Sequence, residues 1–133
     1  MNEFVKIWKA EHKSILRVMD EAYHHDIYSA LGQTKLFELK RLLSVHLHTE
    51  NENLYPCLRK AAETDAALRR LLFLFAADMD KISDAVLEYF KELEKDPHGK
   101  DLLAGFGKIS SMLKSRISRE ENLLLKEYEK LQV

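Results

Sequence analysis

Apolar residues recur along the chain at alternating spacings of three and four, which places them on one face of an α-helix. The pattern predicts four long helices, running from Asn2 to about Asp26, from Thr34 to about Ala62, from Thr64 or Asp65 to Asp96, and from Asp101 to Leu131. The chain has only four glycines and two prolines. Gly32 interrupts the period after the first helix, and the turn Asp96-Pro97-His98-Gly99 ends the third.

The second predicted helix contains Pro56, which cannot donate a backbone hydrogen bond. We therefore expect a bend or an interruption near residues 52–56. Long helices joined by loops of a few residues favour packing in alternating directions. The sequence thus predicts one all-α domain over residues 1–133, folded as an up-down-up-down antiparallel four-helix bundle.

The apolar stripe of the second helix changes from leucine to polar residues halfway along. Its positions are Leu36, Leu39, Leu43, His46, Glu50, Asn53 and Cys57. Burying an imidazole and a carboxylate costs several kcal/mol unless a partner pairs with them. Residues four apart on a helix are neighbours, so His46 and Glu50 can bind the same ion. The bundle interior is therefore expected to hold a partner for this pair.

Two other helices carry polar residues at a comparable height in the bundle. His12 lies halfway along the first helix, and Glu121 lies in the later half of the fourth. The phase of the fourth helix is ambiguous by one residue, so its inner stripe passes through Arg116 or Ile117, and through Glu120 or Glu121. Two imidazoles and two carboxylates form a ligand set that suits iron, manganese or zinc. The remaining histidines are expected at the surface: His24, His25, His48 and His98.

Composition and charge exclude several classes of function. The 21 Lys and Arg residues nearly balance the 22 Asp and Glu residues, so neither nucleic acid nor a membrane surface is an expected partner. Charged residues interrupt the start of the chain where a signal peptide would be apolar. Cys57 is the only cysteine, so no internal disulfide can form, and we interpret it as a small core residue. These features predict a cytoplasmic protein.

Two sequence elements resemble those of hemerythrin-like (HHE) domains. Residues 8–15, WKAEHKSI, look like the E-H-x-x-I element of the family's first helix. Residues 46–50, HLHTE, followed by LYP at 54–56, resemble its second-helix H-x-x-x-E…L-[FY]-P element. The resemblance spans nearly the whole chain. It implies a bundle with a non-haem di-iron centre held by five histidines and two bridging carboxylates, in proteins that carry, sense or process O2 and related small molecules.

The chain departs from that family pattern in its third and fourth helices. The two third-helix histidines of the family align with Met79 and Ser83. The fourth-helix histidine aligns with Arg116, and the carboxylate that follows it aligns with Glu121. By resemblance, the metal ligands that remain are the complement of one iron: His12, His46, Glu50 and Glu121. The site therefore looks like a degenerate di-iron centre that keeps one position.

Arg116 is expected to replace the cation of the lost position. A guanidinium stays protonated in proteins. At about 5 Å from a divalent ion, and at an effective dielectric constant near 20, its charge repels the ion by roughly 6–7 kcal/mol. An inward Arg116 can instead form charge-assisted hydrogen bonds to Glu50 or Glu121.

Two functions are consistent with these residues. The first is a hemerythrin-like metal-binding protein with one iron ion, which acts as a sensor or store for a small diatomic ligand, because reversible O2 carriage in the family uses two irons. The second is a metal-free bundle that acts as a protein-interaction or regulatory module. Leu71, Phe73 and Leu74 on the third helix provide more apolar surface than one inner stripe requires, so they are candidates for a partner surface or a homodimer face. No catalytic motif is present, and we do not expect an enzyme.

Overall fold

The computed structural model describes residues 2–132, which form helices joined by short turns. The α-helices are α1 (Glu3–His24), α2 (Ala30–Thr49), α3 (Tyr55–Ala62), α4 (Ala66–Lys95), α5 (Leu102–Arg119) and α6 (Leu125–Leu131). One π-helical turn, π1 (Glu50–Leu54), joins α2 to α3, and another, π2 (Glu120–Leu124), joins α5 to α6. The described chain therefore has four long helices: α1, residues 30–62, α4 and residues 102–131. Within residues 2–132, none of these helices has both the length and the apolar character needed to cross a membrane.

Contacts at the two ends of the bundle give the helix directions. Asn2 Nδ2 donates to Tyr128 Oη at 3.0 Å, which joins the start of the first long helix to the end of the fourth. At the opposite end, Tyr28 Oη donates to the Gly99 carbonyl oxygen at 2.8 Å. The turns that follow α1 and α4 therefore lie together at that end. The predicted up-down-up-down four-helix bundle is confirmed.

Two predicted helix starts are confirmed by their caps. The Asn2 side chain accepts the backbone N–H of Val5 at 2.9 Å, and the Asp65 side chain accepts that of Leu68 at 3.1 Å. Each contact satisfies one of the N–H groups that a helix leaves without an internal partner in its first turn. The cap residues thus define where α1 and α4 begin.

The predicted start of the second helix at Thr34 is wrong, because the helix begins at Ala30. The Ser29 hydroxyl caps it by accepting the N–H of Gly32 at 2.9 Å. Gly32 lies in the first turn and does not interrupt the helix. A Cβ at this position would lie 1.9 Å from the Asp26 carbonyl oxygen, so glycine allows the preceding turn to approach closely.

The core consists of two apolar clusters separated by a polar layer. The cluster nearer the turn after α1 includes Ile15, Met19, Leu39, Ile82, Phe90 and Phe106. The cluster nearer the chain ends includes Val5, Trp8, Leu54, Leu58, Phe75 and Leu124. The buried polar and charged residues are His12, His46, Glu50, Arg116 and Glu120. Along the chain, His12, His46, Glu50 and Glu120 fall between members of the two clusters, and Arg116 lies next to Ile117, the last member of the first cluster.

The π turns allow residues spaced by four to stay on the inner face. In an α-helix, positions four apart drift by about 40° per step, and the wider π turn reduces that drift. The buried residues at this spacing are His46, Glu50, Leu54, Leu58 and Ala62 on one helix, and Arg116, Glu120, Leu124 and Tyr128 on the other. The prediction that Asn53 faces inward is wrong, since Leu54 takes the inner position, and Cys57 is half-buried beside Leu58.

Pro56 lies two residues after π1, so the predicted interruption near 52–56 takes the form of a π turn at Glu50–Leu54. The N–H of Tyr55 bonds to the carbonyl of Glu50, five residues earlier. Pro56 has no N–H with which to restore the α-helical pattern at that point. The interruption therefore begins at Glu50, whose carboxylate lies in the polar layer.

Candidate metal centre

Four buried side chains from three of the long helices meet in the polar layer. We refer to His12, His46, Glu50 and Glu120 as the His/Glu cluster. His12 Nε2 lies 3.0 Å from His46 Nε2 and 2.9 Å from Glu120 Oε1, and His46 Nε2 lies 3.1 Å from Glu50 Oε2. One nitrogen or oxygen atom from each of the four residues lies within 4.8 Å of the others. This geometry brings four atoms with metal-binding lone pairs to one point in the bundle.

The outer nitrogen of each imidazole contacts a carboxylate outside the cluster. His12 Nδ1 lies 2.6 Å from Glu121 Oε2, and His46 Nδ1 lies 2.9 Å from Glu11 Oε1. An ionised carboxylate only accepts hydrogen bonds, so these contacts favour a proton on Nδ1 of each ring. Glu120 and Glu50 lie as close to the two Nε2 atoms, which therefore need a proton or a metal cation beside them. In a neutral imidazole the lone pair then lies on Nε2, the atom that faces the cluster. Metal-binding histidines in proteins are oriented in the same way.

Further hydrogen bonds hold the carboxylates in place. The indole Nε1 of Trp8 donates to Glu50 Oε2 at 2.9 Å. The Thr49 hydroxyl donates to Glu11 Oε2 at 2.8 Å, which orients the carboxylate that contacts His46. Trp8 itself is fully buried against the apolar cluster near the chain ends. The side chains that converge in the cluster are thus positioned by their neighbours.

The structure places Glu120, and not the predicted Glu121, in the His/Glu cluster. Glu121 is more exposed and contacts His12 from outside. Glu120 lies four residues after the buried Arg116, and its N–H bonds to the Arg116 carbonyl, so the two side chains share one helix face. The π turn π2 begins at Glu120 and keeps Leu124 on that face. The sequence had left open which of the two glutamates faces inward, and the alignment with the family pattern favoured Glu121, which the structure places outside the cluster. The structure does bring the other three predicted residues together.

Arg116, whose orientation the sequence left open, faces the bundle interior with only 3% of its surface exposed. Its Nε donates to Glu120 Oε2 at 2.8 Å. Nη1 donates to the Phe75 carbonyl at 2.8 Å and to Asp78 Oδ2 at 3.1 Å, and Nη2 donates to Tyr55 Oη at 2.8 Å. All three guanidinium nitrogens therefore have partners. The carboxylate that Arg116 binds within the cluster is Glu120, so the expectation of Glu50 or Glu121 is corrected.

The residues at the second metal position of the family pattern do not fit a cation. Met79 and Ser83 are half-buried and line a cavity of about 200 Å³ beside the cluster, and Arg116 lines the same cavity. Methionine offers a soft thioether and serine a neutral hydroxyl, whereas the guanidinium is a permanent cation. The positive charge in this half of the layer comes from Arg116.

The His/Glu cluster fits one metal cation. Metal–ligand bonds of about 2.0–2.2 Å to nitrogen and oxygen place ligands of one ion at most about 4.4 Å apart. The observed limit of 4.8 Å is within a few tenths of an ångström of that value. The ligand set of two imidazoles and two carboxylates suits iron, manganese or zinc. Small side-chain shifts would therefore complete the coordination of one ion.

The pKa values in the cluster reflect the balance between burial and the neighbouring charges. Burial by itself would lower the pKa of His46, but contacts with Glu120 and Glu50 outweigh it and raise this pKa to about 10. Burial raises the pKa of Glu50 against the opposing effect of His46. Burial would also raise the pKa of Glu120, but its contacts with both histidines and the charge of Arg116 hold it well below the ordinary value. Without a metal, the cluster therefore holds a proton on His46 at neutral pH.

The whole polar layer carries an excess of negative charge. Its five carboxylates belong to Glu11, Glu50, Asp78, Glu120 and Glu121. Its two guanidinium groups belong to Arg116 and Arg119, which both contact Asp78. With neutral imidazoles and ionised carboxylates, three negative charges remain uncompensated. The layer therefore attracts cations, whether these are protons or a metal ion.

Several residues of the centre were missed in the sequence. Trp8 lies four residues before His12 on the same helix face, whereas Glu11, one residue before His12, contacts His46 on the next long helix. Asp78 and Tyr55 contact Arg116 from other helices, and no local spacing indicates that contact. The histidines expected at the surface are all exposed, namely His24, His25, His48 and His98.

Comparison with known proteins agrees with this geometry. The chain matches the family model described as Hemerythrin HHE cation binding domain over residues 3–128. No curated protein and no solved structure matches the chain significantly. The matched range contains every residue of the His/Glu cluster and Arg116.

Proposed function

Because the chain belongs to the hemerythrin HHE cation-binding domain family, we propose that it binds one metal ion in the His/Glu cluster and that this ion is iron. His12 and His46 serve as neutral imidazole ligands, and Glu50 and Glu120 as anionic oxygen ligands. Glu121 and Glu11 orient the two imidazoles. Arg116 holds Glu120 from the side of the second position and keeps a second ion out.

The observation that carries the proposal is the convergence of acceptor atoms. Both Nδ1 atoms are engaged with carboxylates outside the cluster, so in the neutral imidazoles that a metal requires, the two Nε2 atoms, 3.0 Å apart, would direct their lone pairs inward. Glu50 and Glu120 add two carboxylates at 2.9–3.1 Å from these nitrogens. Buried acceptor atoms at such distances repel one another unless a proton or a metal cation lies between them. A metal ion satisfies all four at once.

The proposed role is that of a sensor or store, and not of an O2 carrier or an enzyme. Four protein ligands leave one or two positions of an iron ion open, and such an ion supplies a binding position for a small diatomic molecule. Arg116 neutralises the charge of Glu120, but a guanidinium has no open coordination position at which a diatomic molecule could bind. A single cysteine, Cys57, is consistent with a reducing cytoplasmic compartment.

The experiment that tests the proposal compares two histidines of the same helix. His46 is buried in the cluster, whereas His48 is exposed two residues away. The wild-type chain and the H46A and H48A variants are produced in iron-supplemented medium and purified without a metal-affinity tag. Elemental analysis should find about one iron per chain in the wild type and in H48A, and far less in H46A. Equal metal contents in H46A and H48A would refute the proposed site.

A second candidate function is a protein-interaction module, and it rests on an exposed apolar patch. Phe73 is 72% exposed and Leu74 is 54% exposed on α4, beside the half-buried Leu71. Apolar surface of this kind is typical of an interface with another chain or with a second copy. F73E should weaken self-association or partner capture, measured by light scattering and pull-down, while Y23E, which changes an exposed residue of α1, should not. F73E should still bind metal, so a loss of association without a loss of metal separates the interaction function from the metal-binding function.

A further inference from the structure

The cavity of about 200 Å³ lies between α2 and α4 and reaches from the surface to the His/Glu cluster. Its inner end is lined by His46, Glu50 and Glu120. Its outer end is lined by Ser44 and Leu87, which are exposed. A molecule that enters between these two helices can therefore reach the cluster without crossing the packed core.

The cavity walls are mainly apolar. The wall residues include Leu43, Met79, Ile82, Val86, Phe90 and Leu113. A buried water molecule needs two to four polar partners, and walls of this kind do not provide them along most of the cavity. An apolar ligand would therefore displace little well-bound water on entry.

The size of the cavity indicates the size of its ligand. An apolar cavity of about 150 Å³ in another protein stays dry and binds benzene. The present cavity, at about 200 Å³, is somewhat larger, and a diatomic molecule would leave most of it unfilled. We propose that it binds an uncharged apolar molecule of about the size of one six-membered ring, next to the cation site.

Charged ligands fit the cavity poorly. The inner end already carries the carboxylates of Glu50 and Glu120, which repel an anion. Each guanidinium nitrogen of Arg116 is hydrogen-bonded within the protein. At the outer rim, Lys40 Nζ lies 3.0 Å from Glu94 Oε1. The cavity therefore offers an incoming anion no cation that is not already paired, which favours a neutral ligand.

Binding in the cavity is tested with benzene and benzoate as probes on the full chain treated with a chelator. Benzene should shift the methyl NMR signals of the wall residues saturably, with a dissociation constant at or below about 1 mM, and should raise the Tm. Benzoate should bind at least about tenfold more weakly. Absence of benzene binding, or tighter binding of benzoate, would overturn the proposal.

Two substitutions locate the binding. S83F places a phenyl ring in the cavity and should abolish benzene binding, whereas S111F, at an exposed serine of α5, should preserve it. M79A enlarges the cavity and should shift the preference from benzene towards propylbenzene, which gives a second readout should S83F fail to fold. Unchanged benzene binding in folded S83F, or an unchanged size preference in M79A, would contradict the assignment.

One further expectation, that a ligand in the cavity affects the bound iron, rests on the proposed function. In iron-loaded protein, benzene should perturb the absorption of the iron, because the inner end of the cavity contains three of the proposed ligands. If the chain retained no iron, the proposed function would fail, while benzene binding to the chelator-treated protein would still decide the cavity proposal. Benzene binding that left the iron absorption unchanged would overturn the coupling alone.

Discussion

Arg116 Nε donates to Glu120 Oε2 at 2.8 Å, and both side chains are almost completely buried. The two residues are four apart and lie on either side of the junction between α5 and π2. Glu120 therefore contacts both halves of the polar layer, with Oε2 facing the guanidinium and Oε1 facing His12. This pair divides the polar layer into a half that suits a metal ion and a half occupied by a permanent organic cation.

Removing the guanidinium should destabilise the fold strongly. R116Q leaves Glu120 and Asp78 without their buried cationic partner, and breaking a buried ion pair from one side costs about 3–5 kcal/mol. Chemical denaturation should show this loss in the free energy of unfolding. R119Q removes an exposed guanidinium that also contacts Asp78 at 3.0 Å, and it should cost less than about 1 kcal/mol. Equal effects of the two changes would contradict the structural role of Arg116.

The neighbouring glutamates should differ in their effect on metal binding. E120Q removes a proposed ligand and should weaken iron binding by more than about a hundredfold, while E121Q removes only the partner of His12 Nδ1 and should weaken it about 10–100-fold. Competition with a chelator of known affinity measures both values, and circular dichroism verifies that each variant is folded. A larger loss in E121Q than in E120Q would show that the family alignment, and not the π-helical phase, identifies the ligand.

Metal binding should become tighter as the pH rises. In the metal-free protein the pKa of His46 is raised to about 10, so its Nε2 is protonated at neutral pH and the metal must displace that proton. Each displaced proton changes the apparent affinity by about tenfold per pH unit below this pKa, and the dependence flattens above it. Calorimetry in two buffers of different ionisation enthalpy should detect the release of at least about one proton per ion. Binding without proton release would contradict the protonated state of the cluster.

A second metal position should return when the family's histidines are restored. The triple variant M79H, S83H and R116H replaces the permanent cation and adds three imidazoles beside Glu120, so it should bind a second iron and gain new charge-transfer absorption. The double variant M79H and S83H keeps Arg116, and the repulsion of roughly 6–7 kcal/mol should still exclude that ion. Stoichiometric titration distinguishes them. A second ion in the double variant would show that Arg116 does not control occupancy.

The fold was predictable because the helical period is regular over most of the chain. Along α1, the positions spaced by three and four are all buried, with His12 inside an otherwise apolar stripe: Val5, Trp8, His12, Ile15, Met19 and Ala22. His46 and Glu50 were also found in this way, since a polar pair inside an apolar stripe needs a partner. The choice between Glu120 and Glu121 stayed open because Arg116 and Ile117 were both candidates for the inner stripe, and the structure buries both of them.

The residues that contact Arg116 could not be predicted from the spacing of residues along a single helix. Asp78 and Tyr55 come from other long helices, and their approach depends on how the bundle packs at this level. In the sequence, apolar or aromatic residues continue at four-residue spacing after Glu50 and after Glu120, and this spacing indicates the inner face that the structure shows.

Stoichiometric titration of the chelator-treated wild-type chain with Fe(II) under anaerobic conditions tests the central claim most directly. The account predicts saturation at about one equivalent per chain, because four ligands converge at one point and Arg116 occupies the second position. Saturation at two equivalents, or no binding at all, would contradict it.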